Sequence, residues 1–277
     1  MSASWQTQSQ ANFLGESRQQ GCPVLLSVVV PVYNEERTIG VLLERVVAVA
    51  LPKEVIVVDD GSTDGTPEVL NAWSNRAGVL VLRHPANRGK GAAIRTGLAH
   101  ARGRFLLVQD ADLEYNPEDY PRLIEPLLAG RADVVYGSRR LRAPPQATGQ
   151  GAPDIRAGNV DQRVCVAFGG RWANPFYHGV TLLNWMVWVL YGLRLSDEAT
   201  CYKVFPTDVL RKMDLECSGF EFCPEVTAKA ARMQLRIVEV PIEYHPRSRR
   251  EGKKIRWKDG LTAIRVLWKF RRWRPGQ

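Results

Sequence analysis

The sequence predicts an α/β domain built on a mostly parallel sheet with helices on both sides. Three observations carry this. Strand-like and helix-like stretches alternate through the first 140 residues. The strand-like stretches are continuous apolar runs, as strands buried on both faces require. Acidic or glycine-rich loops follow them, where open α/β sheets bind ligands.

The elements follow in order. LLSVVVPV at 25–32 reads as a buried strand and 35–50 has helical spacing. EVIVVD at 54–59 is a second strand, followed by DGSTDGT and a helix near 67–76. A third strand at 79–82 precedes a helix at 90–101, and FLLVQ at 105–109 is the fourth strand. A helix at 117–129 and a strand DVVYG at 133–137 complete the regular part. Residues 141–175 are rich in Gly, Pro, Ala and Gln, and read as a long irregular loop of the kind that serves as a lid or binding segment. Beyond it we expect an apolar helix at 176–193, a strand near 201–205 and helices near 206–213 and 221–232. A strand at 236–244 and a closing helix at 258–273 end the pattern. The organisation expected is a flexible tail (1–23), a catalytic domain (24–246) and a basic amphipathic segment (247–277).

Composition narrows the class. Of 277 residues, 45% are apolar and 24% charged, which excludes a disordered, collagen-like or polytopic membrane chain. Five cysteines, odd in number and without a CxxC pair, argue against a disulfide scaffold or a structural zinc and fit a reducing cytosol. The polar first residues are no signal peptide. Twelve of the Lys and Arg fall between 247 and 274 against two acids, so the net charge of +9 is concentrated there. Such a patch calls for an anionic partner or surface.

Asp110-Ala111-Asp112 stands at the end of the fourth strand. If the strand continues, residues i and i+2 share a side, so both carboxylates face one spot and Glu114 joins them. Hard oxygens in that number suit Mg²⁺ or Mn²⁺ shared with substrate phosphates. Taken alone, the tripeptide also fits a solvated acidic turn. Asp59 and Asp60 end the second strand, where they can accept hydrogen bonds from a base or ribose, while Ser62–Thr66 reads as a helix cap. Residues 31–36, PVYNEE, lack the glycines of a dinucleotide fold, and Gly89-Lys90-Gly91 lacks the Ser/Thr and first Gly of a P-loop.

Together, VVVPVYNEE (28–36), VVDDGSTDGT (57–66), NRGKGAAIRTG (87–97), QDADLEYNPED (109–119) and VVYGSR (134–139) resemble the family 2 GT-A glycosyltransferases. DEATCYKVF (197–205), GFEFCPEV (219–226) and VEVPIEYHPRSRREGKKIRWKDG (238–260) extend the resemblance to the dolichol-phosphate mannose synthase-like branch, the polyprenyl-phosphate glycosyltransferases. It implies a GT-A fold with a single central sheet. It also implies that Pro31, Tyr33, Glu35, Asp59, Asp60, Lys90 and Asp110 hold the nucleotide of a nucleotide-sugar donor. Asp110, Asp112 and Glu114 would hold the metal, Glu114 standing where the mannose synthases usually carry Gln. Arg139 would meet the acceptor phosphate or the donor diphosphate and Arg247 the acceptor, and Asp112, Arg139 and Asp197 would serve catalysis.

The implied reaction is metal-dependent, inverting transfer of a hexose to a polyprenyl phosphate at the inner, cytoplasmic membrane face. A hydroxyl acceptor on a polysaccharide or glycolipid is the alternative, with Asp197 as the base it needs. A non-catalytic nucleotide-sugar or nucleic-acid binder is remote, and no nucleic-acid module accompanies the basic tail. The stretch 176–193 reads equally as a buried core helix or as a Trp-bearing helix in a membrane interface. In the closing helix, Trp257, Leu261, Ile264 and Trp268 form one stripe and Lys258, Arg265, Lys269 and Arg272 another face. That pattern fits docking on an anionic membrane surface.

Overall fold

The computed structural model describes residues 24–141, 175–247 and 257–276. The expected tail at 1–23, nearly all of the expected loop at 141–175 and part of the basic segment lie outside the described residues.

One seven-stranded sheet organises the chain, in the order β3-β2-β1-β4-β6-β5-β7. Its strands are β1 (Leu26–Val32), β2 (Lys53–Asp59), β3 (Val79–Arg83), β4 (Phe105–Val108), β5 (Val134–Ser138), β6 (Lys203–Pro206) and β7 (Ile237–Pro241). The helices are α1 (Ile39–Ala48), α2 (Thr66–Asn71), α3 (Lys90–His100), α4 (Tyr120–Leu128), α5 (Pro175–Tyr191), α6 (Thr207–Lys212), α7 (Phe222–Arg232) and α8 (Trp257–Lys269). Each expected element is present, with ends moved by a few residues.

β1 pairs in parallel with β2 on one side and β4 on the other, and every residue of LSVVVPV is buried. A strand covered on both faces has no polar side to present, hence the unbroken run. β6 is antiparallel to both β4 and β5, the one reversal in the sheet. The register sets Asp59 opposite Val32 and Val108 opposite Val29. The carboxyl ends of β1, β2 and β4 therefore open at one edge. α3 lies over β1, and Gly97 permits the approach because a Cβ there would collide with Val29.

A second apolar cluster lies outside the main core. Leu183 and Val187 of α5, Ala228 of α7, and Ala263, Leu267 and Phe270 from α8 and the 3₁₀ turn after it pack together. The buried row of α8 is a different one from the Leu261–Trp268 stripe: Leu261 and Trp268 face outward, at 46% and 55% exposure, as a surface-docking stripe would. Helical spacing alone marks two overlapping stripes here, and the neighbours α5 and α7 choose Ala263 and Leu267.

Beneath this cluster Lys229 is fully buried. Its Nζ donates to Glu225 Oε1 at 2.6 Å and to the Asp214 carbonyl at 2.8 Å. The ammonium lies 4.4 Å from the Phe270 ring centroid. Glu225 in turn accepts from the backbone N–H of Glu216 and Cys217. Removing one partner of a buried pair leaves a bare charge. Lys229→Met is therefore expected to cost about 3 kcal/mol and lower the Tm by about 10 °C in a thermal melt.

Candidate functional site

The site forms where β1, β2, β4 and β5 end. Asn34 and Glu35, after β1, are laced to the loop after β2. Asn34 N–H donates to Ser62 Oγ at 3.0 Å, Glu35 N–H to Thr66 Oγ1 at 2.9 Å, and Gly65 N–H to Glu36 Oε2 at 2.9 Å. Pro31 is buried within β1 and Tyr33 is half-buried at its mouth. Asp64 accepts from Thr66 N–H at 3.0 Å, at the start of α2.

The two acids after β2 do different work. Asp60 Oδ1 accepts from His84 Nδ1–H at 2.7 Å and from Arg88 N–H at 2.9 Å; its Oδ2 accepts from Gly89 N–H at 2.7 Å. Asp60 thus shapes the loop that delivers Lys90. Gly89 adopts φ +93°, and a Cβ there would strike the Ser218 carbonyl. Asp59 Oδ1 accepts from Ser62 N–H at 2.9 Å. Its Oδ2 is buried with no hydrogen-bond partner among the described residues and has only an ion pair with Arg83 at 3.3 Å. His84 gives no sequence signal, because a lone histidine between a strand and a loop matches no motif.

β4 stops at Val108, so Asp110 and Asp112 are not on an extended strand as the i, i+2 reading required. Gln109 is the cause. Fully buried, it accepts from Tyr120 OH and Tyr202 OH, each at 2.6 Å, and donates to the Asp110 carbonyl at 2.9 Å. The chain then turns, with Leu113 at φ +61°. The two aspartates diverge. Asp110 Oδ1 lies 2.5 Å from Lys90 Nζ and accepts from Cys201 Sγ at 3.2 Å. Asp112 Oδ2 accepts from Arg247 Nη2 at 2.9 Å. Glu114 accepts from Tyr244 OH at 2.6 Å and from Arg247 N–H at 2.8 Å. His245 joins only through its backbone N–H, which donates to the Glu114 carbonyl.

Among the described residues no three His, Cys, Asp or Glu side chains stand ready around one point as a metal cage. The donor set nonetheless fits a divalent cation in chemistry and charge: the oxygens are hard, and they crowd. Burial, with Asp110 and Glu114 adding to it against Arg247, pushes the Asp112 carboxyl up to about 7. Lys90 is the counterweight. Burial opposes its charge, yet Asp110 holds the ammonium well above its usual range.

Arg139 ends the other half of the site. Its Nε and Nη2 each donate to Asp197 at 2.7 Å, and its backbone N–H donates to the same carboxylate at 3.0 Å. Nη1 has no hydrogen-bond partner among the described residues. The guanidinium carbon stands 5.0 Å from the Tyr244 ring centroid, and Tyr244 reaches Glu114, so the two halves adjoin. Burial favours the neutral form of Asp197, but Arg139 outweighs it and holds that carboxyl below its usual range. Glu239 fixes the segment from below, accepting from Ser196 N–H at 2.8 Å and Asp197 N–H at 3.1 Å. Asn184 of α5 stitches it from above, donating to the Ser196 carbonyl at 2.7 Å and accepting from Glu198 N–H at 2.9 Å. Asn184 stands in no recognisable motif, and Glu239 lies in the 238–260 stretch with nothing that singles it out there; only the fold reveals their roles.

The raised Asp112 carboxyl has a consequence for stability. Between its ordinary value near 4 and about 7, the folded chain binds this proton and the unfolded chain does not. Stability then falls as pH rises through that window and levels off above it. In EDTA, the Tm of the wild type should drop by several degrees more between pH 5 and 8 than that of Asp112→Asn.

Residues 27–176 match the family described as Glycosyl transferase family 2. A low-salt glycan biosynthesis hexosyltransferase of Haloferax volcanii is 32% identical over 247 residues, 87% of this chain and 52% of that protein. The chain thus spans about half that relative's length. An undecaprenyl-phosphate mannosyltransferase of Micrococcus luteus is 33% identical, over 81% of this chain and 85% of that protein. In structure, the glucosyl-3-phosphoglycerate synthase of Mycobacterium tuberculosis, solved with Mn²⁺, UDP and phosphoglyceric acid, superposes with a TM-score of 0.61. It is 21% identical, with 95% of this chain and 84% of that one covered, a likeness of fold. That fold is GT-A.

Proposed function

The chain belongs to glycosyl transferase family 2 and is a glycosyltransferase, and on that premise we propose that it moves a hexose from a nucleotide-diphosphate sugar to a polyprenyl phosphate, with inversion, at a membrane surface. One observation carries the choice of acceptor: an apolar exposed helix is bolted to the loop that clamps Arg139. On α5, Leu182, Trp185, Trp188 and Val189 are exposed. Asn184, on the same helix, holds residues 196–198, and Asp197 holds Arg139. A lipid whose chain lies along α5 would bring its phosphate toward Nη1 of Arg139, the guanidinium nitrogen not turned to Asp197. No helix among the described residues is long and apolar enough to cross a membrane. Trp268 and Leu261 of α8 add exposed apolar surface, with Arg271 4.1 Å from the Trp268 ring centroid and Arg194 5.7 Å from that of Trp188. Aromatic rings ringed by cations suit an anionic interface.

The roles follow from the chemistry. In the transfer, a phosphate oxygen of the acceptor bonds to the anomeric carbon while the bond from that carbon to the nucleoside diphosphate breaks. Asp59, with Pro31, Tyr33 and Glu35 around it, would take the nucleoside; Asp60 would act through the loop it shapes. Lys90 would meet the diphosphate. Asp110, Asp112 and Glu114 would hold Mg²⁺ or Mn²⁺, which supplies charge stabilisation at the departing diphosphate. An acceptor phosphate is already ionised near neutral pH and needs no base. This agrees with Asp197, whose carboxylate is buried and spent on Arg139. We assign Asp197 to positioning, in place of the proton acceptor that a hydroxyl substrate would demand.

The test is direct. Transfer from nucleotide sugars should proceed to a polyprenyl phosphate and not to the matching polyprenol; equal transfer to the alcohol would overturn the reading. Asp197→Asn should raise the KM for the lipid phosphate at least tenfold, exceeding its effect on kcat. A loss confined to kcat, with a changed pH profile, would restore Asp197 as base. The full-length protein should sediment with anionic vesicles, with part of the binding surviving high salt. The triple change Trp185, Trp188 and Trp268 to Ala should weaken this at least tenfold without altering the Tm by more than a few degrees.

A further inference from the structure

The acids of the donor site are held by one short stretch of chain. Arg247 Nη1 lies 3.1 Å from Glu35 Oε2, Nη2 lies 3.3 Å from Glu35 Oε1, and Nη2 also donates to Asp112 Oδ2 at 2.9 Å. Three residues after Tyr244, whose hydroxyl donates to Glu114 Oε2, the Arg247 N–H donates to Glu114 Oε1. Tyr244–Arg247 thereby covers three carboxylates drawn from the ends of β1 and β4.

The guanidinium is not a fully satisfied structural group. Its Nε is buried without a hydrogen-bond partner among the described residues. A fixed internal ion pair ordinarily satisfies all the donors it buries, since an unmet one costs free energy. The planar fork spans Glu35 and Asp112 with one positive charge, in the place where the acids would gather around a divalent ion. A divalent ion on Asp112 would compete with the guanidinium for the same negative charge and be repelled by it, so each weakens the hold of the other.

We propose that Arg247 is a resident counter-cation of the donor site: it neutralises Glu35 and Asp112 while the metal is absent, is displaced when a divalent metal binds, and only then is free to meet an anionic ligand. The proposal rests on the assignment of Asp110, Asp112 and Glu114 to metal binding. It gives the site an order, metal with donor first and acceptor phosphate second. It also explains why Arg247, 135 residues beyond Asp112, reaches into the donor site at all.

The experiment measures Mn²⁺ binding to the full chain without nucleotide, by the electron-paramagnetic signal of free Mn²⁺ and by calorimetry. Arg247→Gln should bind Mn²⁺ at least tenfold more tightly than wild type, because the competitor is gone. Its metal-free Tm should fall, and Mn²⁺ should raise that Tm more than it raises the wild-type Tm. Arg247→Lys, which keeps the charge but not the fork, should lie between the two and serves should the glutamine variant not fold. Equal or weaker Mn²⁺ binding by the variants overturns the counter-cation while leaving the metal site standing. Absence of Mn²⁺ binding in wild type and variants alike, matched by Asp112→Asn, overturns the metal assignment and the counter-cation with it.

Discussion

Four carboxylates, Glu35, Asp110, Asp112 and Glu114, meet at the carboxyl edge of one sheet, and the arrangement of the site depends on how their mutual repulsion is answered. Two cations answer it from opposite directions. Lys90 arrives at the start of α3 and takes Asp110. Arg247 arrives from the strap after β7 and takes Glu35 and Asp112. Each cation needs its own scaffold. Asp60, His84 and Gly89 fix the first; Tyr244 and its bond to Glu114 fix the second. The pull of the acids thus draws together segments more than two hundred residues apart, since Glu35 and Arg247 are 212 positions from one another.

Arg139 follows the opposite rule. It has one acid, Asp197, whose carboxylate also accepts from the Arg139 backbone N–H and whose own backbone N–H donates to Glu239. The segment that carries Asp197 is tied to α5 through Asn184. The first group balances four acids against two cations, while the second sets one arginine against one aspartate.

Much of this was legible in the sequence. Unbroken apolar runs such as LSVVVPV gave the strands, and the acids at their ends gave the edge that carries chemistry. What the runs do not encode is direction: nothing in CYKVF distinguishes an antiparallel insertion from a parallel strand, and β6 is decided by its neighbours. The i, i+2 reading of Asp110 and Asp112 failed because Gln109, bonded to two tyrosines from other elements, ends the strand one residue early. The row of α8 that packs on the domain, Ala263 and Leu267, was not legible for a related reason. Two apolar rows fit the helical period, and only packing against α5 and α7 selects one. Asp60 and Asp197 were visible as acids of the site, but whether an acid meets a ligand or orients a neighbour depends on donors that no local pattern contains.

The place of β6 also governs when the molecule comes into being. β5 pairs only with β6 and β7 in the sheet, and the outer edge of β4 pairs with β6. All of these partners lie beyond residue 200. A chain emerging from the ribosome can assemble β1 to β4 early, yet it must carry an open β4 edge and a stranded β5 until residues 203–241 have been made. Such late, long-range pairing is slow and exposes apolar strands to other chains. Pairing of β6 with β4 and β5 closes the sheet, and it is this late pairing that carries Arg139, just after β5, to the edge where the carboxylates lie.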